Sequence, residues 1–522
     1  MKTKKVFVAC ALNVCVATAY SQNDVARSCE GVFNAMQNEL ASCEKEIESR
    51  LGSNSFFLEF TASRTCSSVV FACDNEIMCE EKSPSNSCKA TITLTGDNVV
   101  KENAAQVSNH YDFKDGDNWT SLRQGLRSSA KQSLKSVLIE ADNKRRISSE
   151  ARFVYLPPIT RIEESAFATP VPVEVMKGVC ESAMSNISKY STLYDDTLSI
   201  AMHQTDLYRL TTEGQKTRSA ECYYIVNFVV HGKNSDKKDT RFLFSKVYGK
   251  DQVSKYFSEV EADLLAFANA TTAACQAKKV KKEISYEGPV LFEGNSAWGA
   301  MFKDREWYNQ IYSNVASNKY PIGKSICHPC VSVSQQNNAG SALRHIVDAD
   351  GTCVQDVLLV SNGVLASKIG GRIVYDAGLS STGNYIFSPL ILTPATRYSS
   401  LHAFSLKTEP AMKIRQDLIE EAKAKGLSCA YIVRDLYGLS EIVEIDTATG
   451  KETVLNADAH VHDVQMSEYD EFSIEKYTKM SVEGGNPSTI VCPQSVLLKN
   501  VKIKIDKPFT FENWGYMVKS NR

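Results

Sequence analysis

The periodicity of the apolar residues changes near residue 280, and this change constrains the fold more than any other feature of the sequence. Before it, helical stripes alternate with runs of β-branched and aromatic residues. After it, short strand-like runs are separated by Gly-containing turns, with one helix near Ala411 to Lys425. We therefore predict an α+β chain with an N-terminal α/β domain over 22–280 and a mostly antiparallel β domain over 281–522.

The positions of individual helices and strands follow from the same patterns. Apolar residues at spacings of three and four predict four helices in the N-terminal part: Val32 to Leu51 (with Gly52 as its stop), Leu122 to Leu138, Val173 to Ser188 and Val253 to Phe267. Strands are predicted at Phe56 to Ala62, Val69 to Ala72, Ala90 to Thr95, Leu198 to Leu210, Tyr223 to His231 and Arg241 to Val247. A last strand alternates Val501, Ile503 and Ile505 with two lysines, as expected for a sheet with one face in solvent.

The first residues have the three parts of a secretory signal peptide. Basic residues among the first five precede the apolar stretch from Val6 to Thr18. Ala19 and Ser21 suit positions −3 and −1 of a cleavage site before Gln22. An uncleaved membrane anchor is the alternative, but the apolar stretch is shorter than the ~20 residues that a spanning helix needs. We therefore predict that 1–21 are a signal peptide, and that the mature protein is periplasmic or extracellular without stable membrane insertion.

Export bears on how the cysteines are interpreted. The chain has 16 cysteines, and cleavage would remove Cys10 and Cys15, which leaves 16 − 2 = 14. Exported proteins meet oxidising conditions, so we predict that most of these thiols are bridged. Six of them are interpreted mainly as disulfide partners of undetermined pairing, namely Cys29, Cys43, Cys66, Cys73, Cys79 and Cys88.

Charge and motif content exclude several classes of function. The 59 basic residues nearly balance the 61 acidic ones, and no arginine-rich run is present, so nucleic acid is not an expected partner. No Gly-x-Ser-x-Gly elbow, Walker-type loop or dinucleotide fingerprint follows a predicted strand. Serine hydrolase, nucleotide-dependent and dehydrogenase functions therefore lack support.

Several short motifs occur in the same order as in one known family. The segment from Tyr286 to Gly294, followed by the small and apolar run Asn295 to Phe302, resembles the strand-to-helix junction of the TldD/PmbA proteins. Other matching pieces are Thr212-Glu213-Gly214, the Leu358 to Leu365 hairpin, Ser381 to Asn384, Lys425 to Ser428 and the closing segment Pro493 to Leu498. On this resemblance, from Met36 to Asp506, the chain is identified as a divergent, exported member of the family.

The resemblance implies a fold, an assembly and a ligand class. The family, formerly described as modulators of DNA gyrase and now treated as metallopeptidases, has an α/β part followed by a mostly antiparallel β part. Its subunits pair into hollow dimers that admit short or unfolded peptides, so a homodimer or a heterodimer with a related subunit is expected. In catalytic subunits the junction helix carries His-Glu-x-x-x-His, whose histidines bind zinc while the glutamate activates a zinc-bound water.

The histidines of that motif are missing from the matching positions of this chain. Glu293 matches the glutamate, but Phe292 and Ala297 stand where histidines are expected. Cys492 lies directly against Pro493 and does not match the family's third ligand cleanly. We therefore assign no catalytic, cofactor-binding or metal-binding residue, and no cofactor. Glu293 is interpreted as a helix-start carboxylate that accepts backbone N–H groups, with a general-base role as the alternative.

Two further motifs could bind metal or exchange disulfides, but ordinary structural roles are favoured for both. Extended chain follows the C-x-x-C motif from Cys327 to Cys330, whereas a redox-active thiol usually begins a helix. His460 and His462 would point to one face of a strand, but spacing identifies no third ligand.

Three functions are compatible with these patterns. The favoured one is a noncatalytic peptide-binding or partner subunit without the zinc site, a pseudoenzyme. The second is an active metallopeptidase on short or unfolded peptides, with zinc ligands recruited from His460, His462, Cys327 or Cys330. The third is a thiol oxidoreductase centred on Cys327 and Cys330. Whether the chain is an enzyme is therefore left open.

Overall fold

The structure of the chain is a computed structural model that describes residues 6–506 with internal gaps. The longest gaps are 96–105, 143–151, 301–320, 337–346, 375–399 and 462–471. The helices of the described residues are α1 (Val6–Leu51), α2 (Thr120–Asp142), α3 (Val173–Ile187), α4 (Lys250–Cys275), α5 (Asn295–Ala300) and α6 (Ala411–Ala424). None of the helices described is long and apolar enough to cross a membrane.

The first sheet has eight strands and is built from the N-terminal part of the chain. Its strands are β1 (Phe56–Cys73), β2 (Glu76–Glu81), β3 (Ser85–Leu94), β4 (Gln106–Asp112), β6 (Thr160–Ile162), β7 (Leu193–Thr211), β8 (Lys216–Lys233) and β9 (Asp239–Gly249). The order is β4-β3-β1-β7-β8-β6, with β2 paired to β1 and β9 paired to β8. All pairings are antiparallel except that of β6 with β8. A separate ladder joins β5 (Arg152–Phe153) to β15 (Ile373–Val374).

Two separate apolar cores lie on one face of the first sheet. Helices α1 and α2 cover one end, where Phe60 and Leu126 are fully buried. Helices α3 and α4 cover the other end, where Phe228 and Leu264 are fully buried. Each such side chain contributes about 1.5–3 kcal/mol through removal of apolar surface from water. The long strands β1, β7 and β8 run beneath both helix pairs and hold them on one sheet.

The second and third sheets are built mainly from the C-terminal part of the chain. The second contains β10 (Lys278–Lys279), β11 (Ile284–Gly294), β17 (Cys429–Leu436), β18 (Leu439–Asp446), β19 (Glu452–Asn456), β20 (Asp458–Val461), β21 (Phe472–Ile474) and β24 (Ser495–Asp506). The third contains β12 (Val331–Gln336), β13 (Val357–Ser361), β14 (Val364–Leu365), β16 (Ser400–Ser405), β22 (Tyr477–Val482) and β23 (Ser488–Pro493). One apolar core joins these two sheets, and α6 packs on the second sheet through another.

The α+β class is confirmed, and the predicted helices and strands lie close to their expected positions. In α1, Gly52 ends the helix with a φ of 88°, and its N–H donates to the Glu48 carbonyl at 2.8 Å. The two strands predicted between Phe56 and Ala72 are one continuous strand, β1, because pairing with β7 runs unbroken along it. Helix α1 also continues through Ser21, so processing there stays a prediction, as does the domain boundary near residue 280.

The predicted disulfides are not found among the described residues. All six cysteines expected to pair are free thiols there. Cys29 and Cys43 stand 14 residues apart on α1, or about 21 Å at 1.5 Å per residue, so they cannot bridge each other. Burial raises the pKa of Cys43 to about 11 and that of Cys88 to about 12, which keeps both thiols protonated and unreactive at neutral pH.

Candidate functional site

The junction between β11 and α5 is the position at which the expected zinc motif would lie. Strand β11 runs parallel to β17 on one side and antiparallel to β24 on the other. Neighbouring residues of a strand point to opposite faces, so Phe292 and Glu293 enter different environments. Phe292 faces the core shared with the third sheet, and Glu293 lies on the face that α6 covers.

Phe292 and Ala297 are part of a closed apolar core. The exposed fraction is 3% for Phe292 and 0% for Ala297, and both belong to the cluster between the second and third sheets. In the sheet, Phe292 stands between Val433 and Val496. Neither side chain offers a donor to a metal ion, and native cores of this kind are packed without space for one.

Glu293 is held by two arginines on the other face of the sheet. Its Oε2 accepts from Arg434 Nε at 2.6 Å, and its Oε1 accepts from Arg415 Nη2 at 3.0 Å. Arg434 belongs to the neighbouring strand β17 and is directly opposite Glu293 in the parallel register. Arg415 belongs to the first turns of α6. The exposed fraction is 15% for the Glu293 side chain and 18% for Arg434, so their contact is largely shielded from water, whereas Arg415 is 36% exposed.

The two arginines extend this pair into a chain of alternating charges. Arg434 Nη1 contacts Glu441 Oε2 at 3.3 Å, and Arg415 Nη1 contacts Glu452 Oε1 at 2.5 Å. The order Glu441, Arg434, Glu293, Arg415, Glu452 places every cation between two carboxylates. We call these five residues the ion chain. Its inner end at Glu441 is 4% exposed and its outer end at Glu452 is 41% exposed.

Burial and charge oppose each other at the inner end of the ion chain. Burial raises the pKa of the Glu441 carboxyl group, the Arg434 guanidinium opposes that shift, and the Glu293 carboxylate adds to it. Burial is also the largest influence on Arg434 and acts to lower its pKa, but the carboxylates of Glu293 and Glu441 together raise it. Arg434 therefore stays cationic, and its charge opposes the rise in the pKa of Glu441.

The predicted role of Glu293 at a helix start is replaced by this ion pairing. The carboxylate was expected to accept backbone N–H groups of the following helix, but its hydrogen bonds come from the two guanidinium groups. Ser296 donates to the carbonyls of Glu293 and Val433, both at 2.7 Å, and so ties α5 to β11 and β17. The sequence offered one signal for Arg434: it directly follows the apolar run Cys429 to Val433, whose strand is buried on both faces.

Two of the other residues singled out from the sequence lie on described strands. His460 lies on β20, in register with Lys504 of β24, and Cys492 lies on β23. Cys327, His328, Cys330 and His462 fall outside the described residues. Across the part of the chain that is described, no three His, Cys, Asp or Glu side chains are grouped so that they could hold a metal ion. The junction residues themselves do not fit a zinc ion either.

Comparison with known proteins places the chain by its fold. No protein-family model matches the sequence, and no curated protein is similar to it by sequence. Among the solved structures that are similar to this chain, three are covered over nearly their whole length. A putative modulator of DNA gyrase from Thermotoga maritima has a TM-score of 0.58 at 10% identity, covering 89% of this chain and 99% of that one.

The other two structures agree with the first. TldE from Thermococcus kodakarensis has a TM-score of 0.56 at 14% identity and covers 90% of this chain and 99% of its own. A putative modulator of DNA gyrase from Bacteroides thetaiotaomicron has a TM-score of 0.52 at 12% identity, with 90% and 98% covered. The protein therefore has the TldD/PmbA fold, as the sequence motifs predicted.

Proposed function

We propose that this chain is a noncatalytic TldD/PmbA-type protein that binds peptides or unfolded polypeptide, alone as a homodimer or paired with a related subunit. The observation that carries the first half of this proposal is the packing of Phe292 and Ala297. Both residues lie in a closed apolar core at the positions of the expected zinc histidines. The peptide-binding half is supported by the shared fold alone.

The surroundings of Glu293 support the same conclusion. A glutamate that activates a metal-bound water needs a free carboxylate oxygen directed at that water. Both oxygens of Glu293 instead accept hydrogen bonds from guanidinium groups on neighbouring elements. Glu293 is therefore a structural anion that fixes β17 and α6 to the end of β11.

The test is metal content measured beside peptidase activity. The purified protein is assayed for zinc by mass spectrometry and for cleavage of unfolded casein, with and without a chelator. We expect substoichiometric zinc and no chelator-sensitive cleavage. One zinc per chain together with cleavage that a chelator abolishes would contradict the proposal and favour the metallopeptidase alternative.

A variant that restores the motif tests whether the chain lacks only the two histidines or whether the site itself cannot accept zinc. Phe292→His with Ala297→His rebuilds His-Glu-x-x-x-His, but it puts two imidazoles into an apolar core. We expect the double variant to be less stable by about 3–5 kcal/mol, as for loss of a buried aromatic, and to gain no zinc. Glu293→Gln is the matched control and should leave the metal content and the absence of cleavage unchanged.

Peptide binding and assembly are tested on the same preparation. Fluorescence anisotropy with a labelled unfolded polypeptide should report binding that a chelator does not weaken. Light scattering should report a dimer, either of this chain or with a co-expressed related subunit. Failure to bind any unfolded polypeptide would refute the binding half and leave the noncatalytic half standing.

Export is a separate part of the proposal and rests on the pattern of the first residues. The basic start, the apolar stretch from Val6 to Thr18 and the small residues before Gln22 support it. N-terminal sequencing of the protein isolated from its native source should begin near Gln22. A chain that retains Met1 would contradict export through this signal.

A further inference from the structure

The segment between α2 and α3 is fastened at both of its ends by buried polar groups. We call residues 152–167 the strap. Its outer end pairs with residues 372–374 of the C-terminal part through β5 and β15. Its inner end lies on the first sheet between the two helix pairs. The residues between the ends include Pro157 and Pro158, which fix φ and stiffen the connection.

The outer anchor is a buried arginine that lies against two aromatic rings. The guanidinium of Arg372 pairs with Glu213, and the exposed fractions of the two side chains are 3% and 10%. Its Cζ lies 4.2 Å from the centroid of Phe57 and 4.7 Å from that of Phe153. Because Phe153 belongs to the strap, the cation holds strap and sheet together.

Backbone hydrogen bonds complete the outer anchor. The N–H of Val154 donates to the Arg372 carbonyl at 2.7 Å, and Arg372 Nε donates to the Val154 carbonyl at 3.2 Å. The N–H of Leu156 donates to Glu213 Oε1 at 3.2 Å. Glu213 therefore binds the arginine and the strap at the same time, so loss of the arginine also loosens the strap.

The middle of the strap runs along the edge of β8. Strand β6 pairs in parallel with residues Lys216–Arg218. Just beyond, the N–H of Glu163 donates to the Arg218 carbonyl at 3.0 Å, and the N–H of Ala220 donates to Glu163 Oε2 at 2.9 Å. The strap thus satisfies edge groups of β8 that a neighbouring strand would otherwise occupy.

The inner anchor closes a polar row between the two apolar cores. On β7, Met202 belongs to the core under α3 and α4, and Tyr208 to the core under α1 and α2. Gln204 and Asp206 lie between them and are 3% and 2% exposed. We call this row, with Arg64 and Arg218 on the flanking strands, the seam.

Ser165 and Ala166 of the strap seal the seam. Ser165 Oγ donates to Asp206 Oδ2 at 2.5 Å, and the N–H of Ala166 donates to Asp206 Oδ1 at 2.8 Å. Gln204 Nε2 donates to the Ala166 carbonyl at 2.8 Å. Withdrawal of the strap would leave the buried Asp206 carboxylate and the Gln204 amide without these partners. The strap is therefore needed to satisfy the hydrogen bonds of the seam.

We propose that the strap couples the two parts of the chain, so that docking of residues 372–374 and closure of the seam favour each other. The two anchors lie on one short, stiff segment. Each anchor is held by buried polar groups, and these groups would lose their partners when the segment moves. A ligand or partner that displaces residues 372–374 would then open the seam, and opening of the seam would release residues 372–374. This coupling does not depend on the proposed function.

Hydrogen exchange read by mass spectrometry tests the coupling in both directions. Arg372→Met removes the outer cation and should raise exchange in the peptide that covers 163–167 by about tenfold or more, which corresponds to at least about 1.4 kcal/mol. Ser165→Ala removes one inner donor and should raise exchange at 154 and 373–374 by a smaller factor. Both effects must be observed, because coupling between two sites acts in both directions.

Two controls make the outcome decisive. Arg415→Met removes a cation of the ion chain outside the strap and should leave exchange in 152–167 unchanged. The amides of α6 report on global stability and should be unaffected by either strap variant. Exchange that rises only beside the altered anchor would overturn the proposal. A uniform rise along the whole chain in both variants would overturn it too, because the anchors would then be no more coupled than any two regions.

Discussion

Removal of Arg434 isolates the energetic role of the ion chain. In Arg434→Met, a side chain of similar length fills the space, but Glu293 and Glu441 lose the cation that lies 2.6 Å and 3.3 Å from their oxygens. Breaking a buried ion pair from one side costs about 3–5 kcal/mol, because an uncompensated charge is left behind. Glu293 keeps Arg415 at 3.0 Å, so we expect the free energy of unfolding to fall by about 3 kcal/mol, at the lower end of that range.

The stability that Arg434→Met loses should depend on pH in a defined direction. Burial already raises the pKa of Glu441, and Arg434 opposes that shift. Without the arginine the pKa rises further above its value in the unfolded chain. A carboxyl group with a raised pKa contributes stability below its unfolded pKa and loses it as the pH rises through its folded pKa. Arg434→Met should therefore be most damaging above neutrality and less damaging in mild acid.

Urea unfolding followed by circular dichroism at about pH 8 and about pH 5 measures this difference. Arg415→Met is the comparison, since its side chain is 36% exposed and its loss should cost under about 1 kcal/mol. Adding Glu441→Gln to Arg434→Met should recover much of the stability at the higher pH. A free-energy loss that is the same at both pH values, or no recovery in the double variant, would refute the assignment of Arg434 as the central charge.

Three further predictions concern the cores and the thiols. In the folded protein, iodoacetamide should modify the exposed Cys79 rapidly and spare Cys88, whose pKa burial raises to about 12; equal rates would contradict the fold around β3. Gly232→Ala should lower the melting temperature, since a Cβ there would lie 2.4 Å from Cys275 Sγ, and Cys275→Ala should restore it. Leu264→Ala, at a fully buried position of α4, should cost about 2–5 kcal/mol in urea unfolding, and a loss below 1 kcal/mol would argue against that core.

Local patterns predicted most of the secondary structure. Helix α1 is an example: residues from Val32 to Ile47 recur at helical spacing, and they are the ones that the structure buries. Strand β24 is another, with Val501 and Ile505 buried while Lys502 is 68% exposed. Such elements can be read from sequence because their periodicity is imposed by one neighbouring core face.

The junction at β11 was only half predictable. The match to a family motif gave the position of Glu293 and the absence of histidines at 292 and 297. It gave no indication of Arg415, which is 122 residues away along the chain and reaches Glu293 only because α6 packs on the second sheet. The interpretation of Glu293 as a helix-start carboxylate failed for that reason: a local rule was applied to a side chain whose partners are distant.

By itself, then, the sequence determined the α+β class, the positions of most helices and strands, and the absence of histidines at 292 and 297, because each of these is encoded in neighbouring residues. Only the tertiary structure decided which residues surround Glu293 and how the two parts of the chain are joined. The ion chain and both anchors of the strap link residues far apart in sequence, and their stability comes from burial, which no local pattern encodes.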